Sequence, residues 1–140
     1  MAKRSPLQRA RRDARQGKSA STQAGEYVRD EIERVRSGKH GARSTKQMIA
    51  IGLSRARRAG VDLPAPKSGS KRVRQQAAHD RQNRGHPPSR KRSQATLRAL
   101  QREGSSAASS SALSRQARQS ARRRGSGARR QSTRRAARAR

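Results

Sequence analysis

Nearly all the large apolar side chains of this 140-residue chain fall within residues 23–63: Tyr27, Val28, Ile32, Val35, Met48, Ile49, Ile51, Leu53, Val61 and Leu63. Folding requires buried apolar area to outweigh the conformational entropy lost, so this stretch is the one candidate for a folded unit. A unit of about 40 residues usually needs a disulfide, a metal or a partner. With no cysteine in the chain, self-association is the expected remedy: a homodimer through the apolar faces of residues 23–63.

Two helices are predicted within the stretch, at about 24–37 and 45–59. In the first, Val28, Ile32 and Val35 repeat at i, i+4, i+7, with Ala24 and Tyr27 beside them. Arg29, Asp30, Glu33 and Arg36 fall on the opposite face. Acids such as Glu26 and Asp30 are expected to pair along the helix surface with Arg29 and Arg34. Gly38 is placed to end this helix. In the second, Ser44 and Gln47 fit a capping box. Ile49, Leu53 and Ala56 form its stripe, with Met48 and Gly52 alongside, while Lys46, Ser54, Arg57 and Arg58 point away. Gly60, Val61 and Pro64 fit a Schellman ending followed by a stop. The short link at 38–43 implies an antiparallel hairpin.

The flanks have a different composition. Residues 1–22 carry a net charge of +6, residues 23–63 of +4, and residues 64–140 of +20, for a total of +30. High charge with few apolar side chains predicts disorder. The fold class expected is therefore mostly disordered with a small all-α core, a helix-turn-helix-like α-hairpin flanked by basic disordered arms: an N-terminal arm at 1–22 and a low-complexity tail at 64–140. Ser5, Pro6 and Gly17 nevertheless fit the cap, first position and end of a short helix. A marginal helix is expected over 93–103 around Leu97 and Leu100. Residues 104–111, all Gly, Ser and Ala, read as a flexible linker.

Such a charge needs a polyanion, and phosphate backbones are the densest available. Arginine predominates, which suits bidentate phosphate contacts. The expected contact residues are Lys39, Arg43 and Lys46 around the hairpin link, Arg55, Arg57 and Arg58 at the end of the second helix, and Arg122, Arg123, Arg124, Arg129, Arg130, Arg134 and Arg135 in the tail. Nothing predicts base-specific reading: the cysteines of a zinc finger and the aromatics of RNA-stacking modules are absent. The hairpin reads either as a DNA-reading helix-turn-helix or as a packing unit. Met48–Leu53 is too apolar to face DNA, which favours packing.

No catalytic triad, phosphate-cradling glycine loop or zinc-hydrolase motif is present. His40, His79 and His86 are too scattered for a metal cluster and are expected to be exposed. Neither an enzyme nor a cofactor, metal, small-molecule substrate or membrane partner is expected. The absence of a secretory signal points to a cytoplasmic protein.

The run Lys39-His40-Gly41-Ala42-Arg43-Ser44-Thr45-Lys46-Gln47, then Ile49 to Ser54 and Ala56 to Val61, resembles an uncharacterised family of small basic bacterial proteins. This domain of unknown function has a KHGARS-x-KQ-x-IAIGLS-x-ARRAGV-like core. The likeness covers roughly residues 26–66. It implies a bacterial, cytosolic protein and carries no assigned residues; if bacterial, the protein is expected to be nucleoid-associated. The tail resembles bacterial linker-histone-like tails by composition. The function expected is non-sequence-specific DNA binding through Arg and Lys, with histone-like compaction or bridging. RNA binding, or a protein-interaction adaptor using the helical core, are the alternatives.

Overall fold

In this computed structural model the structure describes residues 3–66, 70–86 and 88–123. Among them every regular element is helical. The helices are α1 (Pro6–Arg15), α2 (Ala20–Arg36), α3 (Thr45–Arg58), α4 (Lys71–Gln82) and α5 (Arg90–Gln101), then a 3₁₀ turn at Ser106–Ala108 and α6 over 110–123. No helix among the described residues is long and apolar enough to cross a membrane.

Local chemistry fixes the boundaries. Ser5 accepts from the Gln8 amide while the Gln8 side chain accepts from Ser5 N–H, a closed capping box with Pro6 at the first helical position. Ser19 caps α2 and starts it four residues before the expected 24–37. Ser44 caps α3 by accepting from Gln47 N. The Gln47 side-chain Oε1 reaches one residue past the expected box and accepts from Arg43 N. At the other end of α3, Val61 N donates to Ala56 O and Gly60 N to Arg57 O, the expected Schellman ending. Gly60 sits at φ 105° and Gly38, after α2, at φ 81°, where a Cβ would be strained.

The hairpin expectation holds, with its stripes rotated. On α2 the buried residues are Ala24, Tyr27, Glu31 and Val35; Val28 and Ile32 are half-buried. On α3 they are Met48, Gly52, Ala56 and Arg57; Ile49 and Leu53 are half-buried. The helices therefore meet along stripes that include the polar Glu31 and Arg57 and the glycine Gly52, offset from the apolar pattern. At the crossing, a Cβ on Gly52 would stand 2.7 Å from the Val28 Cα and 2.9 Å from its Cγ2. The glycine allows the two backbones to approach this closely.

Two small cores lie along the hairpin. One joins Ala10 of α1 to Ala24, Tyr27, Ala56 and Val61, with Ala20, Leu53 and Leu63 packed against them. The other joins Val35, Ala42 and Met48 to Ala107 and Ala108, flanked by Ile32 and Leu113. The apolar faces expected to pair in a dimer are thus partly covered by α1 and by the 106–108 turn of the same chain.

The arms are more ordered than the expected disorder, and they include the short helix read from Ser5, Pro6 and Gly17 and the one read around Leu97 and Leu100. Residues 6–15 are helical and pack on α2, and residues 71–82, 90–101 and 110–123 are helical as well. The stretch expected to be a flexible linker instead buries Ala107 and Ala108. Small side chains contribute little area each, but they let backbone approach backbone, and hydrogen bonds close the contact. Residues 124–140, the end of the expected disordered tail, lie outside the described residues.

Replacing Gly52 with Ala should force α2 and α3 apart and destabilise the fold by about 1–3 kcal/mol, the usual cost of overpacking. Urea denaturation checks this, with Gly25→Ala as control because a Cβ there meets nothing within 4 Å.

Candidate nucleic-acid interface

The electrostatics follow from how few acids the chain has. Seven of its eight acidic residues sit in ion pairs, and most of those pairs join separate elements. Arg9 of α1 holds Glu26 of α2 at 2.8 Å. Glu26 is therefore an inter-helix clamp, not part of the surface pairing expected with Arg29 or Arg34. Asp30 does make the expected i, i+4 pair with Arg34, at 2.9 Å, and also accepts from Arg55 of α3 at 2.8 Å. Arg81 of α4 pairs with Asp62.

Glu31 is the most enclosed of the acids on the hairpin, at 2 % exposure. Its Oε1 accepts from Arg55 at 2.5 Å, and its Oε2 lies 3.4 Å from His40 Nε2. His40 is buried, against the expectation of an exposed loop histidine; its Nδ1 is 2.9 Å from the Gly41 carbonyl. Arg55 also lies over the Tyr27 ring, 5.7 Å from its centroid. Burial pushes the Tyr27 hydroxyl above its ordinary range, against the opposing pull of Arg55 and Arg11, so the phenol is neutral at physiological pH.

A second knot ties α4 to α3. Asp80, 1 % exposed, accepts from Ser54 Oγ at 2.7 Å, Arg58 Nε at 3.0 Å and Gln76 Nε2 at 3.1 Å. Arg57 is buried and donates to the carbonyls of Leu63 and Pro64, both at 3.2 Å. Desolvation pulls its pKa down from the usual arginine value, an effect that Asp80 opposes. A groove of about 920 Å³ runs over these knots, walled by Ala50, Ile51, Leu97 and Leu100. Its carboxylates, Glu31 and Asp80, already hold arginines.

The arginines expected at the interface therefore divide. Arg55, Arg57 and Arg58 have their guanidiniums turned to internal partners, although the pattern put Arg57 and Arg58 on the outer face. Lys39, Arg43 and Lys46 are exposed around the α2–α3 link, as are Arg122 and Arg123, the last described residues of α6. Arg124, Arg129, Arg130, Arg134 and Arg135 lie outside the described residues. Exposed cations also line the helices of the two arms: Arg11, Arg12 and Arg15 on α1, Lys71, Arg72 and Arg74 on α4, and Arg90, Lys91, Arg92 and Arg98 on α5. Serine caps ahead of α4 and α5, at Ser70 and Ser89, were the available signal for those helices.

Residues 11–67 match the model of a family of unknown function (DUF6496). The expected likeness to an uncharacterised family is thus shown over that span, which takes in part of α1, all of α2 and α3, and the link between them. No curated protein and no solved structure matches the chain.

Arg55→Met should cost about 3–5 kcal/mol, because it leaves the Glu31 carboxylate buried without its guanidinium. Lys46→Met should change stability by less than about 0.5 kcal/mol, as exposed substitutions do. Chemical denaturation of both variants checks the division between internal and external cations.

Proposed function

We propose that this chain, whose residues 11–67 match a domain of unknown function, binds nucleic-acid phosphate backbones through its outer cations, without sequence preference, and that duplex DNA is its target. One observation carries the reading. Among the described residues, seven Lys or Arg side chains engage the acids in ion pairs, out of 38 in the chain. The acids bind the helices to each other, and among the described residues cations on α1, the α2–α3 link, α4, α5 and α6 are left exposed.

That distribution favours contact along a phosphate chain over the reading of base edges. Base readout needs a few ordered side chains presented together in a groove. Here the cations recur on α1, the α2–α3 link, α4, α5 and α6, so a long polyanion has several faces to follow. A single copy with several basic faces would bridge duplexes and compact them, a histone-like action. A homodimer would raise the effective concentration of such contacts further. Nucleoid association would follow in a bacterial cell.

Neutralising about eight phosphates on duplex DNA gives a log–log salt slope near −7. Fluorescence anisotropy between low and moderate salt measures it, on duplexes of unrelated sequence and on structured RNA. Comparable affinity for unrelated duplexes, weaker binding of the RNA and a steep slope support the reading. A slope near zero contradicts it. A truncation ending at Arg123 removes seven arginines and should make the slope shallower while retaining binding.

A further inference from the structure

The α2–α3 link does more than join two helices. Four hydrogen-bond donors around it converge on one segment, and every acceptor is a main-chain carbonyl of that segment. Gly41 N donates to Leu100 O at 2.8 Å and Ala42 N to Gly104 O at 3.1 Å. Thr45 Oγ1 donates to Ala107 O at 2.7 Å and Arg36 Nε to Ala108 O at 2.9 Å. Ala107 and Ala108 are buried against Val35, Ala42 and Met48. A Cβ on Gly41 would stand 2.0 Å from the Glu103 carbonyl oxygen and 2.5 Å from that of Gly104.

We propose that this elbow is a peptide-binding site, and that its ligand is the chain's own segment 100–108, made of small residues from Gly104 onward, recognised through its backbone carbonyls. Three features support a receptor and a separable ligand over ordinary core packing. All four donors lie within the span matched by the family model, residues 11–67, and all four acceptors lie outside it. The helix leading into the segment is held by little else, since Leu100 is the only buried residue of α5. Recognition by carbonyls with alanine-sized seats admits Gly, Ser and Ala and rejects larger side chains at 107 and 108, which matches the sequence of this stretch.

Tethering gives the segment a high effective concentration, on the order of mM, so a free copy of it competes poorly with the intact chain. The probe is a labelled peptide spanning residues 99–113, tested without nucleic acid against the full-length protein. In Ala107→Gln/Ala108→Gln the chain's own segment no longer seats, and the peptide should bind at least about 10-fold more tightly than to the wild type. Adding Gly41→Val should abolish that gain, and a scrambled peptide should show none. Equal binding to wild type and double variant, or no binding to a double variant of unchanged helix content, would overturn the proposal. Should the double variant lose its helices, amide exchange in the wild type decides. Gly41 and Ala42 must then exchange through a local opening, more slowly than an open loop but faster than the α3 amides; exchange in step with α3, as a shared core gives, or at the rate of an open loop overturns it. These readouts do not depend on phosphate binding, so either reading fails without the other.

Discussion

The pairing of Glu31 with Arg55 is the contact on which most of this structure depends. A carboxylate on the buried face of α2 cannot remain charged there without a cation, because desolvation of an unpaired charge costs several kcal/mol. Arg55 supplies the charge from α3, and Asp30 and the Tyr27 ring hold the guanidinium in place. The same carboxylate faces His40, whose ring lies against the carbonyl of Gly41. One buried acid therefore fixes the register of the hairpin and the shape of its link.

That arrangement explains how so basic a chain holds a fold. Its large apolar side chains are too few to form one broad core, and two small clusters take its place. Between them the helices approach through Gly52. The rare acids join α1 to α2, α2 to α3 and α3 to α4. Each such bond neutralises one cation locally, while most of the other cations among the described residues stay exposed.

Much of the hairpin was legible in the sequence because its signals are local. Ser44 as a cap, Gly38 and Gly60 as endings and the i, i+4 spacing of apolar residues all act within one turn of helix. The burial of Glu31, Arg57 and His40 was not legible in the same way. Each is stabilised by a polar partner beyond its own helical turn, Arg55 for Glu31, the Leu63 and Pro64 carbonyls for Arg57 and Glu31 for His40, and an apolar scan passes over them. A signal did exist: Glu31 lies four residues after Tyr27 and four before Val35, on the stripe that becomes the core. The docking of Ala107 and Ala108 left still less trace, since alanines beside serines and a glycine look the same in a linker as in a tight backbone contact.

Arginine-selective modification of the intact protein, with and without saturating duplex DNA, tests the central claim most directly. Arg12, Arg43 and Arg74 should react rapidly in the free protein and be protected by DNA, while Arg55, Arg57 and Arg58 react slowly in both states. Rapid reaction of Arg55, Arg57 and Arg58 that DNA suppresses, or no protection of the outer arginines at all, would contradict the account.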